Sequence, residues 1–226
     1  MLGSLFSRFD NILVFDVDTT GFDAKNDEMI EVALLHVVNK QSVPIIEDEL
    51  NVLIKLTLGR SLPANITNLT GITEQQLLTE GIEKEKACAM LVDKLSCRNP
   101  LLVAFNAQFD LCFLYYFLHS FGKAGVLKNA KMLDALTVYR DRKPYPHKLS
   151  DAAQDYVLDS KNSHRALDDA RLTFELLCAL GEESDGLERY VNLFGYNPKY
   201  GVSGQKISSV RYLPQRYDSD RKLYEL

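Results

Sequence analysis

The stretch that most constrains this chain is Ile12-Leu13-Val14-Phe15-Asp16-Val17-Asp18-Thr19-Thr20-Gly21. Four apolar residues run into two carboxylates one residue apart, and then into a turn. A short apolar run bounded by turn residues reads as a buried strand. Successive strand side chains point to opposite faces, so Asp16 and Asp18 share one face. Two acids desolvated together at a strand end are costly unless a cation joins them. The stretch is therefore either a solvated strand-to-turn edge or half of a divalent-cation site. The second reading needs further oxygen ligands from elsewhere in the chain.

Composition narrows the choice. The 226 residues, 46% hydrophobic, suffice for one cored domain with a modest extension. A net charge of −5 argues against a general nucleic-acid coat protein. It leaves room for an enzyme that holds phosphates through cations rather than a basic surface. Cys88, Cys97, Cys112 and Cys178 are scattered, without a CxxC pair, and read as apolar filling in a reducing compartment. No apolar run reaches membrane-spanning length, and Met1-Leu2-Gly3-Ser4-Leu5 lacks the pattern of a signal segment. A soluble cytoplasmic protein, with no membrane partner, is expected.

Along the chain, Met29 to Val38 reads as a long strand, Asn39-Lys40-Gln41-Ser42 as a hairpin-like break, and Val43 to Ile46 and Leu50 to Leu56 as extended pieces. Pro44 marks the first of these as an edge or irregular piece. The chain thus opens as a three-stranded antiparallel meander. Helical signals follow. Thr73 and Gln76 have capping-box spacing, Ile82 to Leu95 shows helical periodicity, and Ala107 to Phe121 is strongly apolar. Pro100 to Phe105 is a short buried strand, and Lys131 to Tyr139 starts extended. Ser150 to Tyr156 and Arg165 to Leu180 are helical, the second ended by Gly181. This alternation predicts an α/β layer with parallel pairing.

From Gly195 to Leu226 the chain carries six Lys/Arg against three Asp/Glu, with five tyrosines. Interleaved aromatic and basic residues can stack bases and meet phosphates, or the tyrosines can strap the segment onto the domain.

Two further segments bear acids. In Ala104-Phe105-Asn106-Ala107-Gln108-Phe109-Asp110, Asp110 lies in the first turn of a predicted helix. In His164-Arg165-Ala166-Leu167-Asp168-Asp169, His164 hangs from the loop entering the helix that carries Asp169. An acid near a helix start complements the helix dipole and is common. The order of the three segments, each at an element end, is not.

Taken together, Asp16-x-Asp18-Thr19-Thr20-Gly21, Asn106-Ala107-Gln108-Phe109-Asp110 and His164-x-x-x-x-Asp169 resemble the three motifs of the DnaQ-like, DEDDh-type 3′–5′ exonucleases. That family includes the epsilon proofreading subunit of bacterial DNA polymerase III and ribonuclease T. The resemblance covers roughly Ile12 to Leu180, with agreement at Pro63-x-x-Ile66-x-x-Leu69-Thr70-Gly71-Ile72-Thr73, Leu133-Asp134-Ala135-Leu136 and His147-Lys148-Leu149. It implies a ribonuclease H-like mixed sheet, meander plus parallel strands, flanked by helices. An exonuclease domain would span residues 8–182, with a C-terminal helix and basic, Tyr-rich extension at 183–226.

The resemblance further implies hydrolysis of phosphodiesters from a 3′ end to 5′-mononucleotides. Two Mg²⁺ or Mn²⁺ ions would be held by Asp16, Asp18, Asp110 and Asp169, with His164 as general base. Thr19, Thr20, Gly21, Phe22, Ile72, Phe105 and Asn106 would meet the terminal nucleotides, with plain core packing an equal reading for Phe22, Ile72 and Phe105. The implied partners are 3′ ends of single-stranded DNA or RNA, and a DNA polymerase or other replication or repair protein. Two positions depart from the family pattern. Asp18 stands where Glu is usual, and Phe105 where His often precedes the Asn.

Three other readings compete. An RNA-trimming enzyme shares every motif. An exonuclease-fold module with weak catalysis is suggested by Asp18. A haloacid-dehalogenase-like phosphatase matches Asp16-x-Asp18-x-Thr20, but normally has Gly at position 19 and leaves Asn106, Asp110 and His164 unexplained.

Overall fold

The structure, a computed structural model, describes residues 2–159 and 163–226. A short helix α1 (Gly3–Phe6) leads into strand β1 (Asn11–Thr19), followed by β2 (Met29–Lys40) and β3 (Val43–Leu53). Helices α2 (Ala64–Thr70), α3 (Glu74–Thr79) and α4 (Lys84–Leu95) come next, then β4 (Pro100–Ala104) and α5 (Ala107–Ser120). The chain continues through β5 (Lys131–Asp134), α6 (Ala135–Arg140), α7 (Leu149–Asp155) and α8 (Ala166–Glu183). It ends in β6 (Leu193–Tyr196) and β7 (Arg211–Pro214).

Five strands form one mixed sheet in the order β3-β2-β1-β4-β5. β1, β2 and β3 pair antiparallel, whereas β4 and β5 run parallel to β1. This is the expected meander plus parallel layer. The β2–β3 turn places Gln41 and Ser42 at positive φ (53° and 69°), the twist a two-residue hairpin needs. Pro44 is accommodated because β3 is an edge strand, so the two expected extended pieces merge into one.

Alternation along β1 sorts the core. Ile12 and Val14 join Leu172, Leu176 and Leu180 of α8 on one face; Leu13, Phe15 and Val17 join α4 and α5 on the other. A fully buried aliphatic or aromatic side chain contributes about 1.5–3 kcal/mol, so both faces are strongly held. α8 does not stop at Gly181, which is buried within it, but runs to Glu183. Packing against the sheet outweighs the propensity cost of one helical glycine.

Within 183–226, where a helix is expected, the described chain forms 3-10 turns at Leu187–Tyr190 and Leu223–Glu225 and the parallel pair β6–β7. The segment is docked by specific bonds. Gln215 Nε2 donates to the Thr137 carbonyl at 2.8 Å, and Gly195 N–H donates to Thr137 Oγ1 at 2.9 Å. The Asp141 carboxylate accepts from the Tyr190 hydroxyl at 2.5 Å and from Leu223 N–H at 3.0 Å. Among the described residues, no helix is long and apolar enough to cross a membrane.

Candidate active site

Parallel strands end at the same edge of a sheet, and helices that follow them begin there. Asp16 and Asp18 stand at this end of β1, on the face that packs under α8. In register with Asp18 on β2 is Glu31, only 1% exposed. Arg165, the residue before α8, grips Glu31 through Nε at 3.0 Å and Nη2 at 2.8 Å. The first N–H of α8, at Ala166, points between Asp18 Oδ2 and Glu31 Oε2, 3.1 Å from each. Arg165 supplies no side-chain cap, so two carboxylates from the sheet cap this helix.

Asp169, in the first turn of α8, is thereby aimed back at β1. It is buried, and its Oδ1 has no hydrogen-bond partner among the described residues. Asp110, in the first turn of α5, is also buried and accepts the Val17 N–H at 3.1 Å, between the two β1 acids. The turn before α5 is made by Asn106 in the left-handed region (φ 65°), which Asn tolerates better than most residues. Asp134, at the end of β5, accepts from Ala107 N–H at 3.0 Å and caps α6 through Leu136 and Thr137, so one carboxylate fixes two helix starts.

Burial and mutual repulsion govern the charges. Desolvation holds the Asp16 carboxyl well above the ordinary range, with Asp110, Asp18, Asp169 and Glu31 adding to it. Burial and the Glu31 neighbour push Asp18 up to about 9. Asp110 is pushed to about 8, chiefly by burial, with Asp134 and Asp169 adding to the rise. Asp169 reaches about 6, its rise from burial opposed by His164 and the backbone N–H groups of Ser163 and His164. Glu31 goes the other way: burial raises it, and the bonds from Arg165 outweigh that.

The four aspartates are an all-oxygen donor set suited to hard divalent cations. The orphaned Asp169 oxygen is the acceptor such an ion would satisfy. Among the described residues, no group of three or more His, Cys, Asp or Glu side chains is placed to hold a metal ion. Two of the four are held elsewhere, Asp18 by Ala166 N–H and Asp110 by Val17 N–H. The set fits by donor chemistry and by the unsatisfied Asp169 oxygen.

The other expected residues divide. His164 is exposed on the loop entering α8, with φ 55°. Thr19 and Thr20 are buried and build the turn: Thr19 Oγ1 donates to the Gly21 carbonyl at 2.6 Å, and Thr20 Oγ1 accepts Glu28 N–H at 2.9 Å. A Cβ on Gly21 would lie 2.4 Å from Asp27 Oδ2, so a side chain there would have to displace the carboxylate that accepts Asp23 N–H. Phe22 is 87% exposed and stands edge-on to Phe109 at 6.4 Å, free to meet a base. Phe105 is partly buried against the core, and Asn106 is exposed. Ile72 corrects the expectation. It is 1% exposed, packed with Ile30, Leu62, Ile66 and Leu77, and offers no face to a nucleotide.

Sequence reasoning missed Glu31 and Arg165 as parts of this assembly, and Asp134 as the carboxylate that fixes two helix starts. Glu31 left a signal, a lone charge inside an otherwise apolar strand. Arg165 left none, because its partner lies 134 residues away.

Comparison with known proteins agrees with this geometry. The exonuclease family model named RNase T matches residues 13–177. A PolC-type DNA polymerase III of Clostridium perfringens is 33% identical over 172 residues, 74% of this chain and 11% of the polymerase. The 3′-5′ exonuclease DinG of Bacillus subtilis is 34% identical over 167 residues, 71% of this chain and 16% of DinG. The chain therefore spans between a tenth and a sixth of the length of these relatives. In fold it is similar to E. coli exonuclease I, solved as a zinc-bound complex with single-stranded DNA: TM-score 0.72, 15% identity, covering 80% of this chain and 42% of that one. With the motif acids gathered at one sheet end and the family match running through all three motifs, the chain belongs to the DnaQ-like 3′–5′ exonuclease family.

Proposed function

We propose that the chain hydrolyses single-stranded nucleic acid from its 3′ end, DNA in preference to RNA, releasing nucleoside 5′-monophosphates. The observation that carries this reading is that Asp16, on one strand, is raised by the charges of Asp18 beside it and of Asp110 and Asp169 on two helices, with a buried Asp169 oxygen that has no partner among the described residues. These four residues would hold two divalent cations, Mg²⁺ or Mn²⁺. Bound there, such cations would supply polarisation of the scissile phosphate and a more acidic attacking water. His164 takes that water's proton on its imidazole nitrogen, a role suited to the side chain that titrates nearest neutral pH. The water oxygen joins phosphorus, the bond to the 3′ oxygen of the penultimate nucleotide breaks with that oxygen taking a proton from solvent, and the 5′-monophosphate leaves. Phe22 stacks on the terminal base while the Thr19–Gly21 turn brings backbone close to it.

DNA is favoured because the relatives bear the names of a DNA polymerase III and of DinG. A polymerase or other replication or repair protein is the matching partner class, and the cytoplasm the matching location. The test is Mn²⁺-dependent release of mononucleotides from labelled single-stranded DNA and RNA. Activity on DNA that vanishes in Asp16→Ala supports the reading. No release from either strand by a folded sample, indistinguishable from Asp16→Ala, removes it.

A second reading rests on Asp18, one methylene shorter than the usual Glu and tied to Ala166 N–H. Under it the chain binds 3′ ends and turns over slowly. Tight binding of a 3′-ended strand, with turnover restored only in Asp18→Glu, would favour it.

A further inference from the structure

Beyond the carboxylates, a groove of about 330 Å³ opens between the end of α6 and the tail. Its walls include Arg140, Tyr145, His147, Lys199, Arg216 and Tyr217, and no carboxylate lines it. Asp141 and Asp218 line the adjoining hollow instead. Such a lining is unusual in a chain of net charge −5.

Lys199 lies over the Tyr200 ring at 5.2 Å, a contact that leaves its charge open to an anion. Among the described residues, Arg140, Lys199 and Arg216 enter no ion pair. Their neighbours Arg142 and Lys143 are both bound to Glu183, at 3.2 and 3.3 Å. The Arg140 guanidinium is half-buried and makes no hydrogen bond among the described residues. The Asp134 carboxylate attracts this guanidinium but only partly offsets its desolvation; an anionic ligand would relieve the remainder, and the planar fork matches a phosphate. Tyr145, 86% exposed, presents a ring held edge-to-face by His147 at 5.9 Å.

The groove is also placed to meet a bound strand. Asp134 ends β5 at the same sheet edge as Asp16 and Asp18, and α6 starts there. Arg140 is the last residue of α6, about 9 Å along at 1.5 Å per residue. At ~3.4 Å per stacked nucleotide, that is about three nucleotides. Lys199, Arg216 and Tyr217 lie beyond residue 177, outside the stretch the family model matches, so the tail adds this wall to the shared domain.

We propose that this groove binds the phosphodiester backbone of a single strand a few nucleotides from its 3′ end. Arg140, Lys199 and Arg216 meet phosphates, and Tyr145 stacks on a base. The inference rests on the exonuclease reading for the strand's direction, but not for its binding.

The test separates the two. In an Asp16→Asn background with chelator, fluorescence anisotropy gives the affinity for 5′-labelled dT20 and rU20 across a salt series. Lys199→Glu/Arg216→Glu alters two exposed side chains. Lys128→Glu/Lys131→Glu makes the same charge change on exposed lysines at or before the opposite end of β5. The groove pair is expected to weaken dT20 binding at least about tenfold and to shrink the salt slope by about 1.4, two phosphates at ~0.7 each. The control pair should change affinity less than about twofold. Arg140→Gln should follow the groove pair. Loss on both strands assigns the groove to phosphate, and loss on one to that strand's sugar as well. Equal loss from the groove and control pairs, or none from the groove pair, overturns the proposal. Failure of the exonuclease reading would show separately, as absent mononucleotide release by the unmodified chain.

Discussion

Two buried aspartates at the same end of the sheet, Asp134 and Asp169, have nearly the same setting and opposite fates. They are 4% and 9% exposed, and each lies at or in the first turn of a helix. Asp134 collects four donors: Ala107 N–H, Leu136 N–H, Thr137 N–H and the Thr137 hydroxyl, at 2.6 to 3.2 Å. Asp169 keeps one oxygen buried with none. A buried carboxylate with every lone pair used is a structural fastener. A buried carboxylate left short costs free energy that only an absent partner recovers. The contrast distinguishes what holds the site in place from what the site is for.

The strongest way to break that contrast is to remove each charge in turn. Asp169→Asn, like Asp16→Asn, should reduce mononucleotide release to background while leaving the melting temperature in chelator unchanged or higher, since a repelled charge is removed. Asp134→Ala should instead cost about 3 kcal/mol of stability, through a lost cap and stranded buried donors. Its residual activity at low temperature should still be measurable. Denaturant melts beside turnover assays decide it, and a stable Asp134→Ala with an unfolded Asp169→Asn would reverse the assignment.

His164→Ala should lower kcat by about 10²–10⁴, the usual worth of a positioned general base, with little change in stability. Phe22→Ala should raise KM about tenfold with kcat nearly unchanged, since stacking is worth ~1–3 kcal/mol per base. An effect on kcat alone would place Phe22 in the chemistry rather than in strand binding.

The raised carboxyls also predict how the metal-free fold responds to pH. Asp16, Asp18 (about 9), Asp110 (about 8) and Asp169 (about 6) all lie above the ordinary acid range. The folded chain therefore keeps protons the unfolded chain has released. That contribution is complete below about pH 4 and is lost as pH rises through the folded values, toward pH 9. Thermal melts in chelator should fall across this window, and less steeply in Asp16→Asn. Mn²⁺ should restore stability at pH 8 in the unmodified chain only. A flat profile in chelator would contradict the clustered charges. The smallest expected change is Asp18→Glu, where turnover is kept or rises; its abolition would mean the site is built around the shorter acid.

Much of this was legible in the chain itself. Period-two patterning in Ile12 to Asp18 determined which face carries the acids. The Thr73–Gln76 capping box forms as spaced, with Gln76 N–H donating to Thr73 Oγ1 at 3.2 Å. Asp16, Asp18, Asp110 and Asp169 were singled out by the order of three acid-bearing segments, each at an element end, and by the resemblance of those segments to the exonuclease motifs. Ile72 was misread because motif spacing places it beside a turn without showing that its side chain turns inward to Ile30 and Leu77. Gly181 was misread as a stop because a local rule was outweighed by burial of α8 on the sheet.

What the sequence by itself determined, then, is local: strand and helix periods, turn chemistry, and the identity of the acids. Only the tertiary structure decided the Glu31–Arg165 clamp, the double duty of Asp134, the oxygen Asp169 leaves unpartnered, and the groove the tail closes against Arg140. Each joins residues tens to more than a hundred positions apart. Hydrogen-bond satisfaction and desolvation depend on which atoms meet, and no local pattern records that.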